Sequence, residues 1–381
     1  MGRHAEYNSR MNKEHLARPT LLLTIGVTML LIYGCGGREH VVLAHNGHTV
    51  LASNETPATP PPSPGKVTSM SIPIGGTLRS GLDKISVKFS GPLANNTATP
   101  TFTPTVPGKW QSIGPNETFT PTNAFLPCQN YTIIVPAQTT IIKQVLNKTY
   151  KRPFSVACPS AKGLQKALTL LGYLPYRLEG HDQIKTRSQA ARFAYQTAGN
   201  LVRDIPGAPH INLSYDDPAT RGAVMNFQGQ HGLNYDGVAG QTTWAAILSA
   251  LATHKKNQHP YTWVTVSENI PETLEVHIGH RTAITTPVNT GIPGAVTAIG
   301  IYPIYSRYVS TTMRGTEPDG STYVAPDVPW VNYFNGGDAV HGYPRASYGT
   351  PQSNGCVELP IPTAAKVFPL LSIGDIVTVS T

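Results

Sequence analysis

WVNYFNGGDAVHGYPRASYGTPQSNGCVELP, residues 330–360, contains the residues of this chain that most clearly carry chemistry. His341 precedes Cys356 by fifteen positions, and Cys356 lies in the segment SNGCV at 353–357. A neutral thiol is a poor nucleophile, so a catalytic cysteine needs a nearby base, which His341 supplies if the intervening loop folds back. Gly355 permits the close backbone approach that an oxyanion site built from N–H groups requires. The stretch predicts a cysteine nucleophile with a histidine base, although this spacing alone also fits a buried, inert thiol.

The sequence around this stretch is typical of β-structure. Strands are predicted over 262–266, 274–278 and 375–379, and the loops between them are rich in Gly and Pro. This pattern predicts a mainly β domain over residues 256–381.

The complete pattern resembles the L,D-transpeptidase catalytic domain, also called the YkuD-like fold, which joins a His-Gly to a Ser-x-Gly-Cys-(Val/Ile). The resemblance covers roughly residues 260–381 and implies a β-sandwich in which Cys356 is the nucleophile and His341 the general base. The residues implied to frame the substrate and the oxyanion are Gly342, Ser353, Asn354, Gly355 and Tyr333. For Tyr333, packing in the core is an equally good interpretation.

Two positions depart from the family pattern. Asn354 stands where many members have a second His, and Glu358 stands where an Arg usually follows the Cys-(Val/Ile) pair. A carboxylate near Cys356 disfavours the thiolate and raises the thiol pKa, unless it pairs with a nearby base such as Arg345.

A helical pattern precedes the β domain. Three short helices are predicted within 158–255, built on the apolar spacing near Leu164, after Asp217 and near Trp244. The segment 220–248 resembles the peptidoglycan-binding module of cell-wall enzymes. Gln228 and Asp236 are the candidates for surface or loop contacts, whereas Phe227, Val238 and Trp244 are expected in the core. A purely structural spacer is the alternative.

Residues 66–157 contain short alternating runs separated by Pro, Gly and Asn, which predicts an all-β sandwich. Its segment 106–127 resembles the immunoglobulin-like modules of exported bacterial cell-wall enzymes. Residues 36–65 include SNETPATPPPSPG, whose prolines favour an extended spacer.

The amino terminus is typical of an exported protein. Basic residues precede the apolar run 21–34, which at fourteen residues is shorter than the roughly 20 that a membrane span needs. The following Cys35 resembles the lipidation site of bacterial lipoproteins, so residues 1–35 are predicted to be an export signal. This predicts a protein lipid-anchored to the outer face of the cytoplasmic membrane; an ordinary signal peptide or an uncleaved anchor is the alternative. In an oxidising compartment Cys128 and Cys158 can pair, which leaves Cys356 as the free thiol.

The composition excludes several classes of protein and of partner. The chain has 381 residues, a formal net charge of +8, 40% hydrophobic residues and 13% charged residues, which excludes a wholly disordered or coiled-coil protein. Because no run of five or more like charges occurs, nucleic acid is not expected as a partner.

The resemblance implies an L,D-transpeptidase that forms 3→3 crosslinks between peptidoglycan stem peptides, with no metal or organic cofactor. An L,D-carboxypeptidase that uses water as acceptor and a non-catalytic peptidoglycan-binding protein are the alternatives.

Overall fold

The computed structural model describes residues 63–381. The predicted export signal with Cys35, and residues 36–62 of the predicted spacer, lie outside the described residues. Within residues 63–381, no helix combines the length and the apolar character needed to cross a membrane.

The amino-terminal part of the described chain is a two-sheet β-sandwich, and the prediction of an all-β region is confirmed. Its strands are β1 (Val67–Met70), β2 (Thr77–Leu78), β3 (Ile85–Phe89), β4 (Thr101–Thr103), β5 (Gly108–Ile113), β6 (Asn116–Pro121), β7 (Asn130–Val135), β8 (Thr140–Ile141), β9 (Gln144–Val145) and β10 (Tyr150–Val156). One sheet has the order β1-β3-β6-β5 and the other β2-β10-β7-β4, while β8 and β9 form a separate ribbon. The core between the sheets combines aliphatic side chains with six aromatic residues: Phe89, Phe102, Phe119, Phe125, Tyr131 and Phe154.

A disulfide closes one end of this sandwich. Strands β7 and β10 are antiparallel partners, and Asn130 lies opposite Ser155. Cys128 and Cys158 extend from this end of the pair, and their sulfur atoms are bonded, with Cα atoms 4.6 Å apart. The bond therefore ties the sandwich to the segment that leads into the helices.

The middle of the chain contains four helices and a small ribbon. The elements are α1 (Ala161–Leu170), β11 (Tyr176–Glu179), α2 (Arg187–Tyr195), β12 (Asn200–Arg203), α3 (Pro218–Gln230) and α4 (Gln241–Thr253). The sequence predicted three helices, so α2 is a correction. It begins with a capping box between Thr186 and Gln189, a local signal that the apolar periodicity does not report.

The carboxy-terminal part is a second β-sandwich, and the predicted mainly β domain is confirmed. Its elements are β13 (Thr262–Ser267), β14 (Thr273–Ile278), β15 (Arg281–Pro287), β16 (Gly300–Pro303), β17 (Ser306–Thr316), β18 (Thr322–Asn335), β19 (Asp338–Gly342), β20 (Val357–Leu359), α5 (Ile361–Val367), a 3₁₀ turn (Phe368–Leu370) and β21 (Ile376–Ser380). One sheet has the order β15-β14-β13-β21-β16 and the other β17-β18-β19-β20. Aliphatic side chains form most of the core between them.

Helix α3 docks directly on this second sandwich. A Cβ atom on Gly222 would lie 2.4 Å from the Gly374 carbonyl oxygen, so the close approach of the two backbones requires glycine at this contact. Beside it, the Asn226 side-chain amide donates to the Asp375 carboxylate at 3.2 Å. The helical region and the second sandwich are thus joined by a tight backbone contact and a buried polar one.

Candidate active site

The register of two neighbouring strands brings His341 and Cys356 to one face of the second sandwich. Strands β19 and β20 are parallel, with Val340 opposite Val357 and His341 opposite Glu358. Paired residues project to the same face of a sheet, as do residues two apart along a strand. His341, Glu358 and Cys356, which directly precedes β20, all line one cavity of about 450 Å³.

The loop between His341 and Cys356 folds back because a buried asparagine holds it. The Asn289 side chain accepts from the Gly349 amide at 3.0 Å and donates to the Ser347 carbonyl at 3.1 Å. The Asn289 backbone also exchanges two hydrogen bonds with Glu358. Asn289 carries no local sequence motif, and it folds the intervening loop back so that His341 and Cys356 line the same cavity.

A tight turn presents the thiol. The Ser353 hydroxyl accepts from the Gly355 amide at 3.2 Å and donates to the Cys356 carbonyl at 2.6 Å. Gly355 has a φ of +105°, and a Cβ atom there would lie 2.6 Å from the Asp338 carboxylate. Only glycine fits this position without strain, so Ser353 and Gly355 together fix the backbone around the thiol.

His341 is 3% exposed, and its Nδ1 lies 3.0 Å from the Gly342 carbonyl oxygen. Burial lowers the pKa of its imidazole below the ordinary range, although the Gly342 carbonyl and Glu358 oppose the shift. The ring is therefore neutral at neutral pH. With a proton on Nδ1 donated to Gly342, Nε2 carries the free lone pair of a general base.

Burial raises the pKa of the Cys356 thiol to about 12, and the nearby carboxylates of Asp338 and Glu358 act in the same direction, while the Ala339 backbone N–H opposes it. The thiol is protonated at rest, and its sulfur lies 3.7 Å from the Gly337 carbonyl oxygen. A neutral thiol that shares a cavity with a neutral imidazole requires proton transfer as the nucleophile attacks.

Glu358 is paired with Arg345. The guanidinium donates to both carboxylate oxygens, with nitrogen–oxygen distances of 2.7 and 2.8 Å, and also to the Gln352 carbonyl at 2.8 Å. The Glu358 side chain is 6% exposed and that of Arg345 is 29% exposed. Both interpretations of Glu358 therefore apply, since the carboxylate pairs with Arg345 and still contributes to the raised pKa of the Cys356 thiol.

The remaining predicted frame residues occupy different places. Asn354 lines the cavity, and its amide donates to the Glu317 carboxylate at 2.8 Å. Tyr333 packs beside Cys356 in a cluster that includes Ala339, and it is not among the residues that line the cavity.

The long hairpin β17–β18 forms one wall of the cavity and was not predicted from the sequence. It contributes Met313, Tyr323 and Val328. The signal was present: Glu317-Pro318-Asp319-Gly320 is a turn sequence between two runs rich in β-branched and aromatic residues.

Gln228 was predicted to make surface or loop contacts, and it makes loop contacts from a buried position. Its side chain is 2% exposed and donates to the Asp236 carboxylate at 2.8 Å and to Thr243 at 3.0 Å. It holds the loop between α3 and α4 from inside. Asp236 is exposed as expected, whereas Val238 was predicted in the core and is 61% exposed.

Residues 262–379 match the family model of the L,D-transpeptidase catalytic domain. The chain carries an L,D-transpeptidase catalytic domain, and the predicted enzyme class, a cysteine-dependent L,D-transpeptidase, is confirmed. Residues 196–247 match the model of a putative peptidoglycan binding domain. No curated protein sequence matches the chain.

Solved structures that are similar to the chain include L,D-transpeptidases from three bacteria. A mutant of the Enterococcus faecium enzyme is 20% identical, with a TM-score of 0.30. The match covers 33% of this chain and 52% of that protein, so the chain spans about half the length of that enzyme. L,D-transpeptidase 3 from Mycobacterium tuberculosis is 14% identical, covering 83% of this chain and 98% of its own, with a TM-score of 0.29. The Mycobacterium smegmatis enzyme is 12% identical, and the match covers 84% of this chain and 100% of that protein, with a TM-score of 0.29.

Proposed function

We propose that the L,D-transpeptidase domain of this chain forms 3→3 crosslinks between peptidoglycan stem peptides through a thioester on Cys356. The observation that carries the proposal is the shared face of β19 and β20, from which His341 and Cys356 line one cavity. A thiol nucleophile and an oriented neutral base in the same cavity are what acyl transfer through a thioester requires.

In the first half-reaction, the Cys356 sulfur attacks the carbonyl carbon that joins the third stem residue to the terminal D-alanine. The thiol proton passes to Nε2 of His341 as the carbon–sulfur bond forms. The imidazolium then gives this proton to the departing amine, the carbon–nitrogen bond breaks, and D-alanine leaves. The stem remains on Cys356 as a thioester.

In the second half-reaction, an amine of a neighbouring stem attacks the thioester carbonyl. His341 takes the amine proton, the new carbon–nitrogen bond forms, and the carbon–sulfur bond breaks. The proton returns from the imidazolium to the sulfur, which restores the neutral pair. The turn that Ser353 and Gly355 hold supplies the groups that polarise the substrate carbonyl.

The test compares wild type with Cys356→Ala on a disaccharide-tetrapeptide, followed by mass spectrometry. We expect the wild type to release D-alanine and give crosslinked dimers, and Cys356→Ala to lose at least about a thousandfold in rate because no other group supplies a thioester. Tripeptide without dimer indicates the L,D-carboxypeptidase. No product from the wild type indicates a non-catalytic peptidoglycan-binding protein.

A carbapenem provides the matched check on the same thiol. Intact mass should show a single adduct on the wild type and none on Cys356→Ala. An equal adduct on both proteins would refute Cys356 as the nucleophile.

We further propose that the domains follow the order of an exported and anchored wall enzyme: an export signal at 1–35, a spacer at 36–65, an immunoglobulin-like module at 66–157, a peptidoglycan-binding module at 158–255 and the catalytic domain at 256–381. The apolar run ending at Cys35 supports lipid attachment there. Metabolic labelling with a fatty-acid analogue should mark the wild type and spare Cys35→Ser. A processed amino terminus other than Cys35 would contradict this proposal.

A further inference from the structure

The catalytic cavity contains three charged side chains, and two of them compensate each other. Arg345 and Glu358 form the two-point ion pair described above, so together they contribute no net charge. The third is Glu317, at the tip of the β17–β18 hairpin. Because His341 and Cys356 are neutral, Glu317 gives the cavity a net negative charge.

Glu317 has a fixed position but no ionic partner. Its carboxylate accepts from the Asn354 amide at 2.8 Å, and its side chain is half-buried. Among residues 63–381, the ion pairs within 4.0 Å do not include Glu317. Asn354 lies two residues before Cys356, so this hydrogen bond connects the hairpin tip to the turn that presents the thiol.

We propose that Glu317 is a specificity-determining residue that binds the side-chain ammonium of the diamino acid in the stem peptide. The proposal rests on the transpeptidase function stated above. A carboxylate held by one neutral donor keeps its other lone pairs for an ammonium, and such a charge-assisted hydrogen bond is about twice as strong as a neutral one. Apolar side chains at Ile292, Met313 and Val328 line the same cavity and suit the methylene chain that carries the amine.

The same ammonium occurs in two bound stems. In the donor stem it is a non-reacting end of the third residue, whereas in the acceptor stem it is the amine that attacks after losing a proton. Separate measurements on donor and acceptor therefore distinguish the two sources.

The donor experiment measures D-alanine release from two tetrapeptides, one with the diamino acid at position three and one with an uncharged side chain of similar length. The test variant is Glu317→Gln, whose amide oxygen keeps the bond to Asn354 while the charge is lost. The control is Asp327→Asn, which removes an exposed charge from the same hairpin at a residue that does not line the cavity. Asparagine also tolerates the φ of +55° at this position.

In the donor arm, we expect wild type and Asp327→Asn to prefer the charged donor by about tenfold in kcat/KM, and Glu317→Gln to show little preference. In the acceptor arm, the donor tetrapeptide with the uncharged side chain, and not a carbapenem, acylates the enzyme. A stem peptide with a free side-chain amine is then added as the acceptor. There, Glu317→Gln should raise the acceptor KM by about tenfold while the release of D-alanine stays unchanged. Loss of the charge preference in the donor arm, or the raised KM in the acceptor arm, supports Glu317 as the ammonium-binding residue and identifies the stem that it binds.

Carbapenem acylation of Glu317→Gln at the wild-type rate verifies that the variant is folded and that its thiol is intact. A wild-type donor charge preference together with a wild-type acceptor KM for this variant would overturn the assignment of Glu317 and leave the transpeptidase function standing. Absence of D-alanine release by the wild type would overturn the proposed function and this inference with it.

Discussion

The two β-sandwiches of this chain have the same layered design and very different interiors. Between residues 67 and 156 the buried polar side chains are Glu117, Gln129 and Thr139. Between residues 262 and 380 they are Thr262, Glu272, Thr286, Asn289, Thr290, Thr297, Asn332, His341, Ser353, Glu358 and Asp375. The core of the first sandwich combines aliphatic side chains with aromatic rings in contact, for example Phe125 with Phe102, Tyr131 and Phe154 at centroid distances of 5.1 to 5.7 Å.

The difference reflects two uses of one architecture. Aromatic burial contributes the most stability per residue in a small β domain, and nothing in the first sandwich needs a reactive group. The second sandwich buries groups that destabilise it unless each finds a partner, as Asn289 and Glu358 do. A loss of function without a loss of stability is therefore expected in the second sandwich, and the reverse in the first.

Among these variants, His341→Asn is expected to separate loss of activity from loss of stability the most. The asparagine amide can still donate to the Gly342 carbonyl, so the local backbone is preserved, but the general base is lost. General bases contribute about 100- to 10,000-fold, so carbapenem acylation should fall at least about 100-fold. The free energy of unfolding should stay within about 1 kcal/mol of wild type, because the removed group is a desolvated imidazole.

The wild-type pH profile supplies the control for His341. The base form is required, and burial lowers the pKa of His341, so acylation should stay constant as the pH falls to about 6.5, the ordinary histidine pKa. The rate should decline only below that value. A decline centred above pH 7 would show that His341 is not the base or that its ring is not buried.

The sequence predicted the two residues that the structure brings to one cavity, Cys356 and His341, and predicted little of what surrounds them. Cys356 and His341 could be found because a thiol, a base and small turn residues lie within one short stretch. Glu317 and Asn289 could not be found, since they reach the site from other strands and carry no local motif. Arg345 was anticipated only as a possible partner of Glu358.

The orientation of side chains in and around the α3–α4 loop was predicted least well. Gln228 and Asp236 have similar sequence surroundings, yet one is buried and holds the loop while the other is exposed. Whether a polar side chain faces inward depends on which backbone groups need a partner after the loop has folded. Composition and periodicity do not contain that information, which is also why Val238 was wrongly expected in the core.

The disulfide provides the reverse test in the first sandwich. Replacing Cys128 and Cys158 together with serine removes a crosslink between residues 30 positions apart, which should lower the free energy of unfolding by about 3 to 4 kcal/mol on chain-entropy grounds. Carbapenem acylation at Cys356 should be unchanged, because the two cysteines lie outside the catalytic sandwich. Denaturant unfolding and acylation rates measure the two effects.

Reducing agent serves as the matched control for that double variant. It should destabilise the wild type by a similar amount and leave the serine variant unaffected. A reductant effect of equal size on both proteins would mean that the change does not come from the disulfide.

The smallest effects are expected at the Arg345–Glu358 pair, which influences both stability and activity. Glu358→Gln keeps a hydrogen bond to the guanidinium but leaves its charge without compensation. Removing one partner of a buried pair costs about 3 to 5 kcal/mol, and the partial exposure of Arg345 reduces this to about 1 to 2 kcal/mol. Since Glu358 also raises the pKa of the Cys356 thiol, its neutralisation should speed carbapenem acylation at pH 7, by less than about threefold.

A double-mutant cycle with Arg345→Gln isolates the pair. If the two side chains stabilise the fold through each other, the double variant should be more stable than the sum of the single losses predicts, with a coupling free energy of about 1 kcal/mol. Arg345→Gln alone should be the more damaging change, because it leaves the nearly inaccessible Glu358 carboxylate unpaired beside the thiol, and it should slow acylation as Glu358→Gln speeds it. Simple additivity in stability, together with acylation rates that both variants leave unchanged, would show that the pair is a surface feature of the cavity rim. In that case Glu358 would not count among the buried charged groups that distinguish the second sandwich from the first.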